Sequence, residues 1–475
     1  MQVPARELRG APQWVAAAGL LAACLTVVAG GRDGTVGTTI PLTNWLGLLS
    51  PHGYRPGDSW LPGVLLFLGI AALVLLWLGA LHWHARMAWT ERQVWWIAAA
   101  WSAPFAIGPP LISKDVYSYA AQGLMVRDGL DPYTSGVAAL VTVPTRDAVR
   151  ALAAVDPTWR SAPSPYGPLA TTLEHLAVAI SGGNPLGAVV VLRALAVGCV
   201  IAIGVLAVQL AGNRRAQALI LTVLNPLVLL HLVSGAHLEA PMCALLLAAL
   251  VAARRGHWSW AVLLACAAGS TKAPAFAAVL AIVASHTLTE PERVARLRVA
   301  AHDVALAGLS IAGFSLLVNN GLGWINGLNS PAQEYNPFAP ASLVGDLLGP
   351  VVPSASFDDL ATAGRVSCLL AAACIVGYLT ASAQRRTLEH SVGYGLVALA
   401  LLSPTIYPWY LLWGVVCLAP TARGRRRDWL VLACGVTAVA AITGAAPVTA
   451  TFDAIGVLVA AALMWHVTVR RAAPA

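Results

Sequence analysis

Apolar runs of roughly the ~20 residues needed to cross a hydrocarbon layer recur from the first decade of this sequence to the last. No stretch between them is long enough for a sizeable soluble domain. The chain therefore reads as one all-α polytopic membrane domain over residues 1–475, a bundle of about 12–14 transmembrane helices. Composition agrees: 58% of the 475 residues are hydrophobic and 11% charged, where a soluble domain carries about a quarter charged residues.

The pattern predicts helices near 13–30, 61–83, 94–110, 186–211, 216–234, 238–253, 258–270, 273–286, 299–320, 363–383, 390–402, 409–420, 428–447 and 452–469. The first, after Arg6 and Arg9, reads as a retained helix rather than a cleaved signal. Arginines cluster in alternate connections: Arg86 and Arg92, Arg214 and Arg215, Arg254 and Arg255, Arg293 to Arg298, Arg385 and Arg386, Arg423 to Arg427, Arg470 and Arg471. The positive-inside rule makes that side, and both termini, cytoplasmic. The longer connections 31–60, 111–185 and 321–362 then face outward and hold many of the Asp, Tyr, Pro and Asn residues.

The net charge of +8 is topology information, because the basic residues sit in short loops without the aromatic-interleaved patch that nucleic acid requires. All eight cysteines fall inside apolar segments and read as packing residues, not disulfides or metal ligands.

Two segment pairs, 258–270 with 273–286 and 390–402 with 409–420, are too short to span as ordinary helices. Broken helices are tolerated where they line a polar cavity. Their tips, Ser270 to Pro274 and Ser403 to Pro408, are expected to open into one outer cavity.

The candidate chemistry gathers there. The run 111–136 reads as a short interfacial helix from about Lys114 to Arg127, stopped by Gly129. Asp115, Tyr119 and Gln122 fall at i, i+4 and i+7 on one face, and Val116, Ala120 and Leu124 form an apolar strip. Asp115 is the candidate catalytic carboxylate, although a carboxylate in a first helical turn also simply suits the helix dipole. Lys272, one of two lysines in the chain, is a buried cation at a helix break and a candidate phosphate partner; a structural salt bridge is the plainer alternative. Arg127 is a second phosphate candidate, or else one half of an Arg/Asp staple. Tyr166, in the turn Ser164 to Pro168, joins Tyr119, Gln122, His237, Glu239, Tyr407 and Trp409 as sugar or acceptor contacts. Rings stack on sugars, although interfacial aromatics are usually belt residues. His231, His237 and Glu239 match no strong zinc signature.

The runs DVYSYAAQG (115–123), RDGLDPYT (127–134), SPYGPL (164–169), NP…H…GAHLE (225–239), STKAPA (270–275) and YPWYLLW (407–413) together resemble the actinobacterial polyprenol-phosphomannose-dependent α-1,6-mannosyltransferases of the GT-C superfamily. The resemblance covers most of the chain from about residue 100. It implies an enzyme of the bacterial cytoplasmic membrane with an outward-facing site, which moves mannose from polyprenyl-phosphate-mannose to a growing α-1,6-mannan with inversion. Asp115 occupies the position of the family's catalytic base. Val116 and Tyr117 follow it where the superfamily often carries a second acid, so metal-independent catalysis without a cofactor is expected. Competing readings are a transporter or flippase, since broken helices also build transport sites, and the same enzyme class with arabinose or glucose.

Overall fold

The computed structural model describes residues 11–31, 61–317, 321–330, 335–336, 339–352 and 354–440. The expected helix at 452–469 and nearly all of the 31–60 connection lie outside them. The described residues form helices joined by turns and irregular connections, with no strand among them. The α-helices of seven residues or more are α1 Ala11–Gly30, α2 Leu61–Met87, α3 Glu91–Ile107, α4 Asp115–Arg127, α5 Arg146–Ala154, α6 Pro168–Ile180, α7 Pro185–Leu210, α8 Arg215–Leu221, α9 Glu239–Arg254, α10 Trp258–Thr271, α11 Phe276–Thr287, α12 Arg293–Ser315, α13 Pro340–Leu348, α14 Phe357–Ala381, α15 Leu388–Leu401, α16 Leu412–Leu418 and α17 Gly424–Ala440.

Five of them, α1, α2, α7, α12 and α14, are each long and apolar enough to cross a bilayer. Shorter apolar helices, α6, α10, α11 and α15, fill the space between. The protein is a multi-pass membrane protein. Local signals set the ends: Thr90 and Gln93 form a capping box at α3, Asn184 caps α7 ahead of Pro185, and Ser356 with Asp359 caps α14.

The expected continuous helix at 216–234 is broken. α8 ends at Leu221, and a π-helical turn, Val228–Ser234, meets α9 at a bend of 110°. Pro226 lacks an N–H and disfavours a helical conformation at Asn225, whose side chain instead accepts a hydrogen bond from the Leu227 N–H at 3.0 Å.

The connection 111–185 is a folded unit rather than an open loop, with α4, α5 and α6 in it. α4 does not lie exposed at the interface. Val116 to Met125 are all buried, because α4 packs against α5, α6 and α7. A Cβ on Gly123 would collide with the backbone of Glu174, so glycine there allows α4 and α6 to touch. The apolar strip expected to face lipid faces protein instead. The paired short segments hold as expected, with α10 stopping at Lys272, which is extended at φ −148° and ψ 123°. All eight cysteines are free thiols.

Candidate active site

The chain approaches Asp115 through strained backbone. Ile112 has φ +69°, a left-handed conformation that a β-branched residue rarely adopts, and Ala236, just before His237, has φ +50°. Together with Ala88 these are the non-glycine residues with positive φ among the described residues. Such strain persists only where the surroundings impose it. The Asp115 N–H donates to Ser113 Oγ at 3.1 Å, and α4 begins there, with the carboxylate at its positive end.

The face read from the sequence is the face observed. Asp115, Tyr119 and Gln122 line one cavity of about 380 Å³, together with Tyr166, Tyr407 and Trp409. Ser113, Lys114, Asp156 and Trp159 complete its polar rim. Tyr119 donates to Asp115 Oδ2 at 3.5 Å and shares a 2.9 Å hydrogen bond with the Tyr166 hydroxyl. Ser164 donates to Gln122 Oε1 at 2.9 Å, which fixes the amide. The Gly167 N–H donates to the Thr271 carbonyl at 3.1 Å. A Cβ there would strike Ser270, so Gly167 lets the Tyr166 turn dock on the helix break beside Lys272.

Behind the cavity lies a buried charged layer. His237 Nδ1 is 3.4 Å from Asp115 Oδ2 and 3.9 Å from Glu239 Oε2, and both His237 and Glu239 are fully enclosed. Lys272 pairs directly with Glu239 Oε1. Its ammonium also faces the rings of Tyr410 at 4.3 Å, Tyr166 at 5.1 Å and Trp413 at 5.3 Å. Burial opposes charge on Asp115, but the hydrogen bond and charge of His237 and the charge of Lys272 outweigh it and hold the carboxyl below its ordinary range. Burial, helped by neighbouring acids, pushes the Tyr119 and Tyr166 phenols well up, so both remain neutral donors.

Several residues that the sequence suggests as direct contacts therefore take other positions. His237 and Glu239 stand behind the cavity wall and are absent from its lining. Lys272 lies behind Tyr166 and Tyr410, with Glu239 as its partner. Trp409 lines the cavity, but its indole stacks on Tyr407 at 4.6 Å and on His237 at 4.2 Å, which leaves Tyr407 as the better ring for a sugar. Arg127 is at the far end of α4, about 18 Å from Asp115 at ~1.5 Å per residue, and is paired with Asp128 at 2.9 Å. It does not line the cavity. The cation that does is Lys114, half exposed and 3.5 Å from Asp156. The sequence signal for it is its rarity, as the other of two lysines, directly beside Asp115. Among the described residues no group of three or more His, Cys, Asp or Glu side chains is arranged to hold a metal ion.

Residues 16–287 match a family model described as the alpha-(1->6)-mannopyranosyltransferase N-terminal domain, and residues 341–470 match one described as the MptB C-terminal domain. Alpha-(1->6)-mannopyranosyltransferase A of Mycobacterium tuberculosis is 28% identical over 77% of this chain and 72% of its own length. Alpha-(1->6)-mannopyranosyltransferase B of Corynebacterium glutamicum is 29% identical over 68% of this chain and 58% of its own length. A second alpha-(1->6)-mannopyranosyltransferase of Mycobacterium tuberculosis is 30% identical over 68% and 64% respectively. This chain thus spans between about three fifths and three quarters of these relatives. No solved structure matches.

Proposed function

Because the chain belongs to the alpha-(1->6)-mannopyranosyltransferase family, we propose that it transfers mannose from polyprenyl-phosphate-mannose to the end of an α-1,6-mannan, with inversion. In this reading an acceptor hydroxyl attacks the anomeric carbon, the bond from that carbon to the phosphate oxygen breaks, and polyprenyl phosphate leaves. Asp115 takes the hydroxyl proton as general base. The observation that carries the proposal is the Asp115 carboxylate itself, kept ionised by His237 and Lys272 and presented to an aromatic-walled polar cavity. Tyr119, Tyr166 and Gln122 supply neutral hydrogen-bonding groups for sugar hydroxyls, and the ring of Tyr407 supplies an apolar platform.

The departing phosphate needs a cation within reach. Lys114 is the one that lines the cavity, so the contact role that the sequence suggests for Arg127 passes to it; Lys272 contributes through its field from behind the wall. In this reading the reaction proceeds without a divalent cation, since Val116 and Tyr117 follow Asp115 in place of a second acid, Asp156 on the rim is paired with Lys114, and Glu239 is engaged by Lys272. We place the cavity on the outer face of the bacterial cytoplasmic membrane, opposite the arginine-rich loops, within one membrane domain. The test is transfer from synthetic polyprenyl-phosphate-mannose to a short α-1,6-mannoside by purified protein, with and without EDTA. A product linked α and insensitive to the chelator supports the proposal. Transfer only from another lipid-linked sugar, or loss of transfer on chelation, would overturn that part of it.

A further inference from the structure

Three helices connect the Asp115 site to the opposite end of the bundle. α9 begins at Glu239 beside the site and ends at Arg254, α15 runs from beside Glu389 to the segment that carries Tyr407, and α16 leads from that segment to Thr421. At ~1.5 Å per residue, α9 and α15 each traverse about 20 to 25 Å, most of a hydrocarbon layer. Their far ends border a second, open cavity of about 520 Å³, lined by Arg254, Arg423, Arg425 and Arg426 with His390 and two threonines.

No carboxylate is among its lining residues. The two acids nearby are taken: Glu389 lies 3.9 Å from Arg254, and Asp428 is held by Arg427 at 2.9 Å. Arg426 faces His390 at 3.1 Å. Arg423 and Arg425 have no ion-pair partner among the described residues. The arginines also crowd the first turn of α17, which has no acidic residue there. A helix start carries partial positive charge, so cations at this position are unfavourable by themselves. Besides Arg254, three arginines around one cavity at such a place, two of them without an ion-pair partner among the described residues, call for an anion. Trp429, one turn further along, is 60% exposed, and an exposed indole beside apolar helices marks headgroup depth in a bilayer.

We propose that this cavity binds the phosphate headgroup of an anionic phospholipid in the leaflet opposite the Asp115 site, with Arg423 and Arg425 on the phosphate and Trp429 at the glycerol level. The assignment is independent of the reaction at Asp115. Free phosphate shares the anionic chemistry but lacks the acyl chains that an open, membrane-level cavity would accommodate.

The experiment uses the full chain, delipidated in neutral detergent, with native mass spectrometry to count retained lipids. Phosphatidylglycerol, phosphatidylcholine and inorganic phosphate are titrated separately at two salt concentrations. Retention of phosphatidylglycerol over phosphatidylcholine, weakened by salt and not displaced by millimolar phosphate, is expected. The triple variant R423Q/R425Q/R426Q should bind phosphatidylglycerol about tenfold more weakly or worse. The control R293Q/R296Q/R298Q, in the first turns of α12, should bind it as the wild type does. Equal retention of the two lipids, equal loss in the control, or displacement by phosphate alone would overturn the proposal. Should the triple variant fail to fold, lipid discrimination by the wild type still decides.

Discussion

Removing the Lys272 ammonium tests the buried layer that sets up Asp115. In Lys272→Met the hydrocarbon stem is retained while Glu239, fully enclosed, loses its cation. Stranding one member of a buried ion pair costs about 3–5 kcal/mol, and lost cation–π contact with Tyr410, Tyr166 and Trp413 adds about 0.5–2 kcal/mol. Glu239→Gln alone strands the lysine at similar cost. The double variant Lys272→Met/Glu239→Gln leaves no uncompensated charge, so its cost should fall short of the sum of the singles by about 2 kcal/mol or more. Reversible unfolding of the detergent-solubilised protein measures all four corners of the cycle. The Asp115 carboxyl gives a second readout: without the Lys272 charge its pKa rises, so the acid limb of transfer in the single variant Lys272→Met moves to higher pH. Additive single costs, or an acid limb unmoved in Lys272→Met, would refute the reasoning.

Further expectations follow from the same geometry. Lys114→Gln should lower kcat/KM for a lipid-phosphate donor about tenfold or more, the worth of a charged hydrogen bond, whereas Arg127→Gln should change transfer less than twofold in the same assay. Gly167→Ala should destabilise the fold by about 1–3 kcal/mol, because the added methyl strikes Ser270; an unchanged melting temperature would contradict that contact. A base must be ionised to act, so activity should hold down to the ordinary carboxylate range near pH 4 and fall only as pH passes through the lowered pKa of Asp115. His237→Gln removes the main group that lowers it and should shift that limb upward, which a pH profile of kcat/KM would detect.

Much of this architecture is legible in hydropathy, because a span needs about twenty apolar residues and little else imitates that. α6 is invisible to that filter because thirteen residues are too few for it, although Leu169, Leu173, Leu176 and Ile180 recur at helical spacing. Its presence is what buries α4, and the small residues Ala120 and Gly123 are the available hint of close packing. The Asn225–Pro226 pair announces the break in the predicted 216–234 helix. Within the site, helical periodicity correctly places Asp115, Tyr119 and Gln122 on one face. It says nothing about depth, so His237, Glu239 and Lys272 read as contacts when they form the layer behind. Arg127 and Lys114 bracket α4, and only the three-dimensional position of the cavity decides which cation faces it.

Mannose transfer by Asp115→Asn tests the role of this carboxylate most directly. The substitution keeps the shape and most hydrogen bonds of the side chain but removes its basicity. With Asp115 as the general base, kcat should fall about a hundredfold or more, with melting temperature and donor binding retained. Wild-type turnover by the folded variant would contradict that role and move the base elsewhere in the cavity.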